Sequence, residues 1–288
     1  MSMLLLKTVQ EARAACREAK SRGGGVGLVP TMGALHAGHA SLIEAAAREN
    51  DFVVVSVFVN PTQFAPTEDL DAYPRSLDKD CALAEQMGAQ AVFAPTAAQM
   101  YPGGEGVWVK VAGRLTEILC GRSRPAHFRG VTTVVAKLFN IIAPDRAYFG
   151  QKDGQQAQVI RRMAEELFVP TEIKIMPIVR EADGLALSSR NVYLSGRERE
   201  AALVLSRSLR AVREKIEKGE RDPAAALSFL NGLIAAEPLA RLEYAEIYSF
   251  PALEEFAGEM SGEVFIALAA KIGQTRLIDN IVVAAGPY

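Results

Sequence analysis

Two histidines three residues apart, His36 and His39, lie in the segment Val29-Pro-Thr-Met-Gly-Ala-Leu-His36-Ala-Gly-His39. The apolar stretch Val26-Gly-Leu-Val-Pro30 runs into this segment, and an amphipathic helical pattern from about His39 to Glu49 follows it. The pair therefore sits on a strand-to-helix turn, where an α/β sheet opens its ligand crevice. At this spacing both imidazoles face the same way beside exposed backbone N–H groups, and Gly38 lets a ligand approach the main chain closely. Imidazoles at a helix N-terminus make a site for phosphate oxygens. The plain alternative is a pair of ordinary loop histidines, although these are two of only three in the chain. Zinc would need a third ligand, which neither the cysteine spacing nor any His-Glu-Xaa-Xaa-His motif supplies.

Three other segments carry chemistry of the same kind. Tyr148-Phe-Gly150-Gln151-Lys152-Asp153-Gly154-Gln155-Gln156 again reads as strand, glycine and helix start. Lys152 can reach a phosphate there, and Asp153 can hold Mg²⁺ directly or through water. Gln155 and Gln156 offer neutral hydrogen-bonding groups to a small polar substrate; a solvated turn is the alternative. In Ala186-Leu187-Ser188-Ser189-Arg190-Asn191, two hydroxyls and a guanidinium can hold triphosphate oxygens and stabilise charge as pyrophosphate leaves. A helix-capping loop with an exposed arginine is its plainer reading. In Val59-Asn60-Pro-Thr62-Gln63-Phe64, Asn60 and Gln63 read as donors to a hydroxylated acid, with Phe64 as an apolar wall.

These segments need a scaffold that brings strand ends together. Phe52–Val59 is a β-branched run with the continuous apolarity of a strand covered on both faces. Further strands are expected at Ala91–Phe93, Val107–Val111, Ala147–Phe149 and Glu172–Val179. Helical patterns fall near Leu77–Met87, Val131–Ile142 and Gln155–Leu167. This alternation predicts a Rossmann-like parallel sheet with helices on both faces, over residues 1–180. Beyond it the pattern changes. Ser195 with Glu198 forms a capping-box signature for a helix to about Lys218, and Asp222-Pro223 opens another. Leu242–Tyr248, Val264–Ala269 and Leu277–Val283 then read as strands without long helices between them, so residues 181–288 are expected to form a smaller α+β domain.

Composition sets the outer bounds. With 288 residues, one or two domains with a sizeable core are expected. The 32 basic against 34 acidic residues give no electrostatic case for nucleic acid. Cys16, Cys81 and Cys120 are few and widely spaced, which fits a reducing compartment rather than a disulfide scaffold. No apolar run approaches the ~20 residues of a spanning helix, and the N-terminus shows no basic region or cleavage site of a leader. The expectation is a cytoplasmic protein with no membrane or nucleic-acid partner.

His-Xaa-Gly-His at such a turn resembles the superfamily of nucleotidylyltransferases and class I aminoacyl-tRNA synthetases, whose members direct an acid or phosphate onto the α-phosphate of a nucleoside triphosphate. A more specific resemblance rests on Val29–His39, Val57–Phe64, Glu68–Arg75, Ser123–Gly130, Asp145–Gln156 and Arg180–Ser195. In that order and over nearly the whole chain, these blocks are similar to the pantoate–β-alanine ligase family. The resemblance implies ATP- and Mg²⁺-dependent joining of pantoate to β-alanine through an enzyme-bound pantoyl adenylate, releasing AMP and pyrophosphate, in a cytosolic, two-domain homodimer.

It also implies roles for residues. Met32, Gly33, Ala34, Leu35, His36, Ala37, Gly38 and His39 would line the ATP site, with His39 as proton donor and His36 beside it on the phosphates. Gly150, Gln151, Lys152, Asp153, Val179, Leu187, Ser188, Ser189 and Arg190 would complete that site, with Lys152 and Arg190 as its catalytic cations and Asp153 as the metal contact. Gln63 would touch both pantoate and β-alanine; Gln156 and Asn60 would also touch pantoate. Gly154, Ala65 and Thr62 depart from the family's usual residues at their positions, Gly154 at the cost of a side chain. The loop around Gly121–Gly130, with Arg122, Arg124 and Arg129, and the smaller domain are the two segments expected to close over an adenylate. The rival readings are a nucleotidylyltransferase that leaves the nucleotide on its product and an inactive nucleotide-binding or scaffolding protein.

Overall fold

The β-branched runs of the first half pair as a six-stranded, wholly parallel sheet. The computed structural model describes residues 3–65, 70–104 and 106–286; Glu68 and Asp69, part of one block of the resemblance, lie outside them. The chain divides into two compact units, Met1–Gly150 with Val159–Pro177, and Gln151–Gln158 with Ile178–Tyr288. The segment Gln151–Gln158 thus groups with the second unit, whereas the sequence reading places it in the first domain.

In the first unit the chain runs β1 (Leu4–Leu6), α1 (Val9–Ser21), β2 (Val26–Thr31), α2 (Ala37–Glu49), β3 (Phe52–Val57), α3 (Leu77–Gln86), β4 (Ala91–Phe93), α4 (Ala97–Met100), α5 (Cys120–Ser123), α6 (His127–Ile142) and β5 (Arg146–Gly150). Helix α7 (Gly154–Glu166) and strand β6 (Glu172–Met176) follow. The strand order is β1-β4-β3-β2-β5-β6. Val29, Val53, Val55, Val92 and Tyr148 form one apolar layer with Leu42, Ile43 and Ala46 of α2 and Ala84 of α3. The alternate residues Leu28, Val54, Phe93 and Ala147 point the other way and are equally buried, and α1 and α6 pack against β2 and each other. The strand order reverses between β2 and β5, so the carboxyl ends of these two strands border the crevice such sheets use for ligands.

Two expectations change here. Strand β1 and helix α1 go unanticipated, although Thr8 and Glu11 form a full capping box. Val107–Val111 is not a strand: the Val109 N–H donates to Thr133 Oγ1, and its carbonyl accepts from the hydroxyls of Thr132 and Thr133. Side chains of α6 satisfy this backbone, and Val107 is exposed.

In the second unit α8 (Gly196–Glu217) and α9 (Pro223–Ala235) pack on an antiparallel sheet β7-β8-β9 of Ala240–Ser249, Glu263–Ile272 and Thr275–Ala284. Ser195 caps α8 with Glu198 as expected, and Asp222 caps α9. Leu205, Leu209, Val212 and Ile216 of α8 meet Val264, Ile266, Leu268 and Ile272 of β8 in its core. Among the described residues none of the three cysteines is in a disulfide, and no described helix is long and apolar enough to cross a membrane.

Candidate active site

Strand β2 delivers the chain into a turn that other side chains hold rigidly. Gly33 has φ +84° and Ala34 φ +50°, both left-handed. Thr31 Oγ1 accepts from the Gly33 N–H at 3.1 Å, and its own hydroxyl donates to the Ser56 carbonyl at 2.6 Å. The N–H groups of Ala34 and Leu35 donate to the Asp80 carboxylate of α3 at 3.1 and 2.8 Å. Asp80 is buried, which pushes its pKa up, while the two N–H bonds pull it back. Glycine is required at 33 on two counts: a Cβ there would come within 2.9 Å of Asp80 Oδ2, and φ is positive.

The turn ends in a cap built from the two histidines. His36 is the N-cap of α2, its Nδ1 accepting from the Gly38 N–H at 3.1 Å, while His39 Nδ1 accepts from the His36 N–H at 3.3 Å. Their ring centroids are 4.1 Å apart. An Nδ1 that accepts has no proton, so in each neutral ring Nε2 carries it. The fold therefore sets the tautomer and places both rings at the N-terminus of a thirteen-residue helix.

Gln63 belongs to the same unit and is held on all sides. Its Oε1 accepts from Asn60 Nδ2 at 3.0 Å, its Nε2 donates to Met32 Sδ at 3.0 Å, and its carbonyl lies 3.0 Å from His127 Nδ1 and 3.4 Å from Arg124. Asn60 is 1% exposed, and its Oδ1 accepts from Tyr101 and Thr62 hydroxyls at 2.7 and 2.9 Å. Its carboxamide is thus engaged inside the loop, where it orients Gln63; the Thr62 hydroxyl joins the same network. Gly130 of α6 lies against this turn so closely that a Cβ would meet the Thr62 carbonyl oxygen at 2.4 Å. Of the basic residues around Gly121–Gly130, Arg124 reaches the Gln63 carbonyl and Arg129 lies over the Trp108 ring at 4.0 Å.

The second unit carries the remaining residues. A 3-10 turn, Gln151–Asp153, holds Lys152 and the half-exposed Asp153, whose charged groups are 4.0 Å apart. Gln155 is buried and Gln156 half-buried on α7. Gly154 has an ordinary φ; a Cβ there would come within 2.8 Å of the Phe265 ring, so the glycine makes room for β8 rather than loosening the helix start. Val179 and Leu187 pair across a tight hairpin, with the Leu187 N–H donating to the Val179 carbonyl at 3.0 Å. Ser188 then caps a second 3-10 turn, its Oγ accepting from the Arg190 N–H at 3.2 Å. Arg180 locks the hairpin to Asp279 of β9 by two bonds of 2.7 and 2.9 Å. Asn280, next along the strand, bonds to the Gln151–Lys152 turn.

The first unit thus assembles Met32, His36, His39, Asn60 and Gln63, and the second assembles the Lys152 turn with the Ser188–Arg190 turn. Asp80, Asp279 and Asn280 are absent from the sequence reading. Each acts through a contact made far along the chain, and none carries a local motif.

A family model for pantoate-beta-alanine ligase matches residues 4–282. The chain belongs to the pantoate–β-alanine ligase family. A pantothenate synthetase from Pelotomaculum thermopropionicum is 55% identical over 97% of this chain and 99% of its own. That from Acetivibrio thermocellus is 51% identical over 98% and 99%. Among solved structures, the pantothenate synthetase of Thermus thermophilus superposes with a TM-score of 0.91 at 48% identity, over 97% of this chain and 99% of its own. The pantoate–β-alanine ligase of Francisella tularensis, complexed with beta-gamma ATP and β-alanine, gives 0.81 at 35% identity, over 97% of each chain. As a member of the pantoate–β-alanine ligase family, the chain is a ligase for the ATP-dependent condensation of pantoate with β-alanine in pantothenate biosynthesis.

Proposed function

We propose that this ligase works through an enzyme-bound pantoyl adenylate, with the histidine cap of α2 on the triphosphate. The observation that supports the reading is the tautomer: both Nδ1 atoms accept backbone N–H groups, so in each neutral ring Nε2 carries the proton that it would give to oxygens gaining charge. The pantoate carboxylate attacks the α-phosphorus of ATP, the bond to the bridging oxygen breaks, and pyrophosphate leaves. Two anions meet in that step, so alignment and positive charge matter more than covalent help from the protein. His39 donates to the phosphate oxygens with His36 beside it, and Lys152 and Arg190 offset the charge that develops. Met32 to His39, Gly150 to Asp153, Val179, and Leu187 to Arg190 form the ATP contacts. In the second step the β-alanine amine attacks the acyl carbon, the C–O bond to AMP breaks, and an AMP oxygen takes the proton.

Gln63, held by Asn60, and Gln156 contact pantoate; Gln63 also faces β-alanine. Asn60 serves this reading as the group that orients Gln63 rather than as a direct contact. Mg²⁺ fits as a cation brought by the nucleotide. Among the described residues no group of three or more His, Cys, Asp and Glu could hold a metal, and Asp153 is a single half-exposed carboxylate. Phosphate oxygens and water supply the rest of an octahedral shell in such sites. When bound, the ion would neutralise phosphate charge, and Asp153 is the residue that would hold it. The enzyme is read as a cytoplasmic homodimer of two domains, a larger nucleotide-binding one and a smaller α+β one.

Omitting ATP, pantoate and β-alanine in turn tests the reaction. Steady AMP release is expected only when all three are present. An adenylylated product in place of free AMP would return the protein to the nucleotidylyltransferases.

A further inference from the structure

Strand β9 carries two consecutive buried polar residues, Asp279 and Asn280, each 3% exposed. Buried polar groups in a small sheet destabilise it unless they are bonded. Side chains alternate along a strand, so the two point to opposite faces. Leu277 and Ile281, in step with Asp279, lie in the core that α8 and α9 cover. Asn280, in register with Ala267, points to the other face, the one on which Phe265 meets Gly154.

Every side-chain bond described for Asn280 goes to the turn that bears Lys152. Its Nδ2 donates to the Gln151 and Lys152 carbonyls, both at 2.9 Å, and its Oδ1 accepts from Gln151 Nε2 at 3.0 Å. These bonds fix the two peptide units on either side of the Lys152 Cα, and they do so from a strand 128 residues further along the chain. No apolar residue of the same size could satisfy the two carbonyls, so this strand position selects a donor of two hydrogen bonds. From this arrangement we infer that Asn280 is a positioning residue for the ligase reaction: it sets the main chain from which Lys152 reaches the triphosphate. The inference rests on the proposed phosphate role of Lys152.

Equilibrium titration with ATP tests it on the intact enzyme, without turnover. Wild type, Lys152→Ala, Asn280→Ala, Asn280→Ser and the Lys152→Ala/Asn280→Ala double variant are compared, each with its melting temperature. Asn280→Ala should weaken ATP binding roughly tenfold, the scale of one charge-assisted hydrogen bond. Asn280→Ser, which keeps one donor, should lie between it and wild type. In the double variant the loss should equal that of Lys152→Ala alone, because two groups acting through one contact are not additive. In a separate steady-state assay, the KM of Asn280→Ser for β-alanine should stay at its wild-type value. If Asn280→Ala does not fold, Asn280→Ser decides by the same comparison, made in the Lys152→Ala background. Unchanged ATP affinity in the Asn280 variants, or losses that add to that of Lys152→Ala, would overturn the inference. Wild-type affinity in Lys152→Ala would instead overturn the phosphate role of the lysine itself.

Discussion

A histidine that caps a helix and also offers a proton to phosphate has two duties, and substitution can separate them. At His36 the cap uses Nδ1, and the proposed phosphate contact would use Nε2. His36→Ala removes both, and should lower stability by ~1 kcal/mol, the usual effect of losing an N-cap. His36→Asn keeps a good capping group but loses Nε2. Its melting temperature should stay close to wild type while kcat falls by roughly 10²–10³, the scale for one oxyanion donor. A fully active Asn variant would reduce His36 to a cap. At this scale the turns that carry the paired histidines, Lys152 and the Ser-Ser-Arg triplet were legible, because local spacing and turn residues mark them; their phosphate roles are those proposed above. Asp80 was not. An aspartate in the first turn of a helix reads as a partner of the helix dipole, and only the folded chain brings it to the Ala34 and Leu35 N–H groups.

Elements position these residues through a small number of charged staples. The hairpin between Val179 and Leu187 is fastened by Arg199 of α8, whose guanidinium lies 2.6 Å from Glu181 and 2.7 Å from Asp183. Asn191 donates to the same Glu181 at 2.8 Å. The bond from Arg199 holds the Glu181 carboxyl below its usual range; the Leu185 N–H, and then Arg199, do the same for Asp183. The folded state therefore binds these protons less tightly than the unfolded chain. Their contribution to stability is complete above the ordinary carboxylate range and is lost as pH falls through the lowered folded values. Arg199→Gln should lower the melting temperature at neutral pH and reduce its further fall on acidification towards about pH 3. A variant with the wild-type acid slope would contradict the staple. The two helices after this hairpin were readable from Ser195-Glu198 and Asp222-Pro223, since caps are local. Val107–Val111 misled because a β-branched stretch looks like a strand wherever its hydrogen bonds go, and here they go to two threonine hydroxyls.

For the whole molecule, a near-zero net charge hides turns that carry positive and proton-donating side chains, His36 and His39 in the first unit and Lys152 and Arg190 in the second. The alternation of strands and helices made the parallel sheet legible, and the loss of that alternation marked the second unit. The placement of Gln151–Gln158 was not legible, because a turn's allegiance is set by what it packs against, here Asn280 and Phe265 of distant strands. The proposed pantoyl adenylate requires an order of events, in which the acid is activated on phosphorus before the amine arrives. Exchange of labelled pyrophosphate into ATP measures that order directly. Exchange that requires pantoate and proceeds without β-alanine is the expected result. Exchange that appears only once β-alanine is added would contradict a preformed pantoyl adenylate.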